Sequence, residues 1–253
     1  MLFGRKKQKS EISVPAGLVD LHSHILAGVD DGARDDDQMY DLIRLEYECG
    51  VRYLCFTPHY NPALFEPRPQ KIAESFEKAK RFAGESFPDM CLYLGNEVFM
   101  RPDTLERLRD GSCLPIGGTK TVLTEFGPST SLGDMRMYIV KLLSYGYSPL
   151  IAHIERYESL SDIDDVYELK SLGARLQINT PAFFGPRKKL ITRLVEQGVI
   201  DVVADDRHSR QRGESALSES YGFVAEKFSE KAAQALFIRR PMSILNMPQN
   251  DKL

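Results

Sequence analysis

The sequence predicts an α/β protein, a single-domain, distorted TIM-like (β/α)7 barrel, on three observations. Short apolar runs alternate with amphipathic segments along nearly all of the 253 residues, the pattern of strands each followed by a helix. Several helical segments stop at a glycine just ahead of the next strand, at Cys49-Gly50, Leu172-Gly173 and Gln197-Gly198. All five histidines closely follow strand candidates, and none is left on a helix face. An open doubly wound sheet has a single crevice at its switch point, whereas a closed barrel gathers every C-terminal strand end around one mouth. Histidines after strands one, two, five and seven, with acids ending strands three and four, favour the barrel.

The first expected strand, 17–21, is a short apolar run that delivers His22-Ser-His24. An amphipathic helix over 35–49 ends at Gly50, and strand two, 52–57, leads into Pro58-His59. The proline-rich stretch from Pro58 to Pro69 reads as a rigid exposed loop. Helix 68–86 and strand 91–98 follow, the strand closing on Asn96-Glu97, then helix 101–110 and strand 121–126, which carries Glu125. Helix 133–146 precedes strand 149–152 and His153, and helix 163–173 precedes strand 175–179. Helix 187–198 enters strand 200–204, which ends in Asp205-Asp206-Arg207-His208, and more helix is expected over about 214–238.

Composition narrows the class. No composition break divides residues 17–253, and residues 1–16, with Arg5, Lys6, Lys7 and Lys9, read as a solvated, disordered tail able to touch an anionic surface. A net charge of -3 argues against nucleic acid as an obligatory partner. No apolar stretch approaches the ~20 residues of a membrane span, and the first ten residues lack the apolar core of a secretory signal. Cys49, Cys55, Cys91 and Cys113 show no paired spacing, and none is followed six positions later by arginine, which disfavours a cysteine-nucleophile phosphatase. A cytoplasmic protein is expected, peripheral to the inner face of the membrane if its basic start engages lipid.

The histidines and acids together carry the chemistry. Strand alternation points His22 and His24 to the same side, and in a closed barrel the first strand neighbours the last, which supplies Asp206 and His208. His59, His153, Glu97, Glu125 and the pair Asp30-Asp31 fall at other strand ends. Buried carboxylates are costly without a cation or partner, so the set reads as a metal centre at the C-terminal mouth of the strands.

The motifs Asp20-Leu-His-Ser-His24, Val29-Asp-Asp-Gly32, Thr57-Pro-His59, Gly95-Asn-Glu97, Leu123-Thr-Glu-Phe126, Ile151-Ala-His-Ile-Glu-Arg-Tyr157 and Ala204-Asp-Asp-Arg-His208 resemble those of the PHP (polymerase and histidinol phosphatase) superfamily. Within it the chain is similar to the bacterial capsule and exopolysaccharide protein-tyrosine phosphatases, from about Leu18 to Asn246. The resemblance implies three divalent ions, with manganese the family-guided choice and iron or zinc compatible with nitrogen and oxygen donors. Carried over, the first ion takes His22, His24, Glu97 and Asp206; the second shares Glu97 and adds Glu125 and His153; the third takes Asp31, His59 and His208. Asp31 is preferred over Asp30, and Asp206 over Asp205, on spacing within the family motifs.

The resemblance also implies hydrolysis of phosphotyrosine on the tail of a bacterial tyrosine kinase that controls capsule or exopolysaccharide synthesis. Four ligand carboxylates under three divalent ions and a hydroxide leave a centre near +1, attractive to a phosphate dianion. Arg156 is the expected phosphate clamp, through its planar fork. Arg212 is a second, although the family spacing is one residue longer and Arg210 competes. Asp205 and His208 are candidate proton donors, and Tyr60, Phe65, Phe183 and Phe184 are candidate walls for the substrate ring. A phosphoesterase acting on a small metabolite such as histidinol phosphate, and a non-catalytic kinase-binding regulator, are the alternatives.

Overall fold

Nine strands pair in parallel and form one continuous ring in the computed structural model, which describes residues 14–210 and 216–247. They are β1 (Leu18–Asp20), β2 (Val51–Phe56), β3 (His59–Tyr60), β4 (Cys91–Leu94), β5 (Glu97–Phe99), β6 (Thr121–Glu125), β7 (Ser148–Ile151), β8 (Arg175–Asn179) and β9 (Val202–Ala204). The difference from the seven expected strands lies in strands two and three, each of which breaks in two. Pro58 has no N–H to continue a ladder, and the Thr57 N–H turns aside to Ser23 O at 2.8 Å. At the second break, a Cβ on Gly95 would stand 2.9 Å from Ile116 Cα, so only glycine lets the two backbones approach.

The breaks produce two ladders, β1-β2-β4 and β3-β5-β6-β7-β8-β9, joined through the interrupted strands. On the other side the ring is shut by a parallel bridge between Ser23 and Arg207. There the His24 N–H donates to Arg207 O at 2.8 Å and the Asp206 N–H to His22 O at 2.9 Å. First and last strands are therefore neighbours, as a closed barrel requires, and their ends bring two histidine-bearing segments edge to edge. Leu18, Leu54, Val122, Leu150, Ile178 and Val202 are fully buried, so the barrel wall is a packed core.

Helices cover the outside: α1 (Asp36–Glu48), α2 (Pro69–Ser86), α3 (Thr104–Asp110), α4 (Leu132–Ser144), α5 (Ile163–Ser171), α6 (Lys188–Glu196) and α7 (Ala216–Lys227). Their starts follow capping chemistry. Asp35 accepts from the Gln38 N–H at 2.9 Å, Ser131 from the Asp134 N–H at 3.1 Å, and Asp162 and Asp165 form a capping box on α5. Glycines at φ 96° (Gly50), 105° (Gly173) and 70° (Gly198) end α1, α5 and α6 in the left-handed region, as expected.

The last expected helix, 214–238, differs. After α7 the chain turns at Ser229, which caps α8 (Glu230–Gln234), passes through a π-helical turn at Ala235–Arg239 and finishes in α9 (Arg240–Ile244). Pro241, lacking an N–H, comes directly after the π-helical turn, where the Arg240 N–H reaches back to Ala235 O and the helical pairing shifts register. The basic segment Arg5–Lys9 lies outside the described residues.

Candidate metal centre

Four candidate ligand atoms converge at the mouth. The Nε2 atoms of His22 and His24 face each other at 3.1 Å. Glu97 Oε2 lies 3.3 and 3.2 Å from them, and Asp206 Oδ1 lies 3.4 Å from both. Donors held ~2.1 Å from one ion stand about 3.4 Å apart at the corners of a tetrahedron, so the spacing is that of a coordination shell. All four residues are buried. Glu97 Oε2 makes no hydrogen bond, although His59 Nδ1 is also only 2.9 Å away. Lone pairs converging on an orphaned, buried carboxylate oxygen fit a cation.

Two further groups adjoin the first. His153 Nε2 lies 2.7 Å from Glu97 Oε1 and 3.8 Å from Glu125 Oε1, so Glu97 faces both groups at once. His59 Nε2 and His208 Nε2 each lie 3.4 Å from Asp31 Oδ1. His24, Asp31, His59 and His208 can all present one ligand atom within 4.8 Å of one another. Register explains the alignment: Glu97 on β5 is paired with His59 on β3, and Phe99 with Glu125 on β6.

Electrostatics follow the same pattern. Burial opposes ionisation of Glu97, but His22, His153 and His24 outweigh it and hold the carboxyl well below its usual range. Asp206 is likewise held low by His22 and His24 against burial. Glu125 goes the other way, pushed up to about 7 by burial and by the neighbouring Glu97.

A second layer of polar residues aims these ligands. Gln177 Oε1 lies 3.2 Å from His22 Nδ1 and accepts the His153 N–H at 2.8 Å. Asn179 donates from Nδ2 to Asp206 Oδ2 at 2.8 Å. Asp30 Oδ2 lies 2.8 Å from His24 Nδ1 and accepts the His59 N–H at 3.0 Å. Burial resists its charge, yet these contacts and the Gly32 N–H bring Asp30 down to about 2. Alternate inward-facing polar residues, Gln177 and Asn179, in an otherwise apolar strand were the sequence signal for this layer. Two of the candidate ligands hold their places at a conformational cost: His153 has φ 32° and Asp206 φ 52°, left-handed geometry that non-glycine residues rarely adopt.

A model of the capsular polysaccharide synthesis CpsB/CapC family matches residues 18–246. The chain belongs to that family. Among relatives, the tyrosine-protein phosphatase CpsB of Streptococcus pneumoniae is 32% identical over 238 residues, covering 90% of this chain and 98% of its own. The tyrosine-protein phosphatase YwqE of Bacillus subtilis is 30% identical over 220 residues, 85% of this chain and 86% of its own. Crystal structures of YwqE and of S. pneumoniae CpsB, described as unique metal-dependent tyrosine phosphatases, superpose with a TM-score of 0.82 at 25% identity, covering 91% of this chain and 96% of the matched one. A lactonase from Listeria monocytogenes, at a TM-score of 0.56 and 12% identity, shares the fold.

In this CpsB/CapC member a cleft of about 800 Å³ opens over the ligands, walled by Phe65, Phe99, Phe126 and Arg156. Arg156 lies at its rim and pairs with Asp206 Oδ2 at 2.5 Å, not with its neighbour Glu155. The Phe65 ring stacks on His59 at 5.4 Å. Phe99 and Phe126, which sequence reasoning did not single out, complete the wall.

Three expectations are corrected. Tyr60 is buried in the core, because alternation along β3 turns it away from the face that His59 presents. Phe183 and Phe184 leave the mouth: the 3-10 turn Thr180–Phe183 swings both onto Phe223 of α7. Asp205 is no proton donor to the cleft, since it is buried, accepts from Thr180 Oγ1 at 2.9 Å and pairs with Arg207 Nη2 at 2.5 Å. Arg207 in turn bonds Glu46 of α1, which anchors the segment between Asp206 and His208. Arg212 lies outside the described residues. Arg210 borders a smaller cavity of about 470 Å³ shared with Asp31 and His208.

Proposed function

We propose that this chain is a metal-dependent protein-tyrosine phosphatase that acts on the phosphotyrosine tail of a bacterial tyrosine kinase controlling capsule or exopolysaccharide synthesis. The observation that carries the reading is the convergence of His22, His24, Glu97 and Asp206 within 3.1–3.4 Å beneath an aromatic cleft edged by Arg156. Relatives named tyrosine-protein phosphatases, aligned over 90% of the chain, support it.

Three divalent ions, manganese for preference, are assigned to His22, His24, Glu97 and Asp206; to Glu97, Glu125 and His153; and to Asp31, His59 and His208. By distance His59 also groups with Glu97 and Glu125, and His153 with His22 and Asp206. When bound, such ions lower the pKa of a water and polarise phosphoryl oxygens. The remaining tasks fall to the chain. Arg156 presents its guanidinium to the phosphate and is preset by Asp206. Phe65, Phe99 and Phe126 exclude water and flank the ring of the leaving phenol. His208, the other donor candidate, has Nδ1 2.9 Å from Asp206 O and Nε2 turned to Asp31. Burial beside His24 pushes it down to about 4, so as a ligand of the third ion it holds no proton for the leaving oxygen. We assign the whole of 17–253 to one metallophosphatase domain, with Arg212 as a second anion contact. No helix among the described residues is long and apolar enough to cross a membrane. A cytoplasmic site of action beside a membrane-associated kinase suits the basic start of the chain.

Metal content and phosphotyrosine-peptide hydrolysis measured on one preparation, before and after chelation and manganese restoration, test the reading. Near three ions per chain, with activity lost and regained, is the expected result. A metal-loaded protein inert toward phosphotyrosine but active on histidinol phosphate would replace the substrate class.

A further inference from the structure

A second cleft, of about 650 Å³, lies apart from the histidines and is built by the segment that leaves β8. Phe183 and Phe184 form its wall with Phe223, and Lys188, Lys189 and Arg193 of α6 form its rim. Phe184 is 60% exposed, and its ring meets Phe223 edge-on at 5.1 Å with planes at 64°. That arrangement leaves an aromatic face open to another ring. Lys227 of α7 reaches in beside them, its ammonium 5.3 Å from the Phe223 centroid and bonded to Thr192 Oγ1 at 3.1 Å.

The charge at this rim is unbalanced. Lys188, Lys189, Arg193 and Lys227 have no carboxylate within ion-pair distance among the described residues, so four cations border one concavity without a paired acid. The first turn of α6 carries no acid, and Arg187 at its cap makes no side-chain capping bond. Lys188 and Lys189 stand in the first turn of α6, at the positive end of its dipole, where cations are disfavoured. Arg193 and Lys227 come from the last turns of α6 and α7, so an anion in the cleft would meet cations from both helices. The position is also coupled to the metal centre. Arg187 Nη1 donates to Tyr157 O at 2.7 Å, on the loop that carries His153 and Arg156. Asn179, the last residue before the turn, holds Asp206. Phe183 and Phe184, just past the exit of β8, thus place one part of the cleft at the mouth end of the barrel.

We propose that this cleft docks a second phosphotyrosine of a peptide whose first phosphotyrosine occupies the metal centre. An aromatic ring bearing a dianion matches an aromatic wall under a cationic rim, and neither part alone would need the other. A membrane surface is the poorer match, because the rings line a concavity. The inference rests on the phosphotyrosine reading of the main site, and it gives that site a preference for multiply phosphorylated, tyrosine-rich segments.

The full chain is tested with three peptides of one sequence, two singly phosphorylated and one doubly. Binding is read by fluorescence anisotropy on metal-loaded protein with non-hydrolysable phosphotyrosine mimics, and kinetics on the same protein with the phosphopeptides. The doubly phosphorylated peptide is expected to bind roughly tenfold or more tightly than either single form, through effective concentration. Phe184→Ala, and Lys188→Glu with Lys189→Glu, erase that preference and raise KM for the double peptide. Both leave kcat and the turnover of free phosphotyrosine unchanged. Equal binding of the three peptides by the unaltered protein overturns the proposal. So does a preference that survives both variants, or loss in the variants of phosphatidylserine-vesicle binding with peptide binding intact. If the loaded enzyme hydrolyses no phosphotyrosine, the catalytic reading falls, and the binding preference of the loaded protein for the non-hydrolysable peptides decides the docking site separately.

Discussion

Arg156 Nη2 donates to Asp206 Oδ2 at 2.5 Å, across the barrel mouth from the exit of β7 to the exit of β9. The contact divides the labour of one carboxylate. Oδ2 is taken by Arg156 and by Asn179 Nδ2, while Oδ1 faces the imidazoles of His22 and His24 at 3.4 Å. A guanidinium half in the cleft and half on a ligand is held in place before substrate arrives, which is the condition for electrostatic stabilisation of a transition state.

Replacing Arg156 by alanine should therefore lower kcat on a phosphotyrosine peptide by one or more orders of magnitude. Metal content should stay as it was, because Asn179 still holds Oδ2. Turnover and metal stoichiometry measured on the same sample separate the possibilities. Undiminished kcat removes Arg156 from the reaction, and parallel loss of metal would recast it as a support for Asp206.

Gly32→Ala should be far more damaging than its size suggests. A Cβ at Gly32 would fall 1.6 Å from the His24 carbonyl oxygen, and backbone there cannot yield, since the His24 O accepts the Ala33 N–H. The loop that sets Asp30 against His24 and Asp31 against His59 would have to lift. We expect a loss of several degrees in Tm and of the ion held by Asp31, His59 and His208, read by metal analysis. Wild-type metal content and Tm in Gly32→Ala would contradict the close approach.

His24 gives the pH dependence a definite sign. Burial alone would depress its pKa, but Asp206, Asp30 and Glu97 outweigh burial and raise it well above 6.5 in the metal-free protein. A histidine raised on folding contributes stability in full below pH 6.5 and loses it as pH rises through the folded value. Chelated protein should accordingly lose Tm as pH climbs above 6.5 and through the raised value of His24. Metal needs the neutral imidazole, so loading expels the proton and apparent affinity falls as pH falls. Calorimetric titration in buffers of different ionisation enthalpy should register that proton. Loading without proton release, together with a flat Tm for chelated protein, would refute the assignment.

Much of this arrangement was legible in the sequence, for a physical reason. Side chains gathered at strand ends follow from strand alternation and barrel closure, both of which leave a period in the chain, and the convergence of His22, His24, Glu97, His153 and Asp206 was readable on those grounds. What could not be read depends on backbone events with no period. The breaks at Thr57-Pro58 and Gly95-Asn96 rotate the strand ends, and the left-handed turns at His153 and Asp206 redirect two ligands. Phe183 and Phe184 were misplaced for a similar reason, because a single 3-10 turn carried them from the mouth to α7. Asp30 was recognised as a neighbour of the ligand Asp31, but its grip on His24 required the loop to close on Gly32.

Phe65 supplies the test of ring recognition. It stacks on His59 with planes at 15° and forms part of the cleft wall beside Arg156, so one face supports a ligand and the remaining surface meets substrate. Phe65→Leu keeps bulk against His59 while removing the aromatic face. Loss of a stacked ring is worth about 0.5–1.5 kcal/mol, so KM for a phosphotyrosine peptide should rise by roughly two- to tenfold with kcat nearly unchanged. Turnover of a phosphoserine peptide, which has no ring to lose, should not change, and the preference for tyrosine should shrink by the same factor. Equal losses on both peptides, or a fall in bound metal, would show that Phe65 acts through His59 and leave Phe99 and Phe126 to hold the ring.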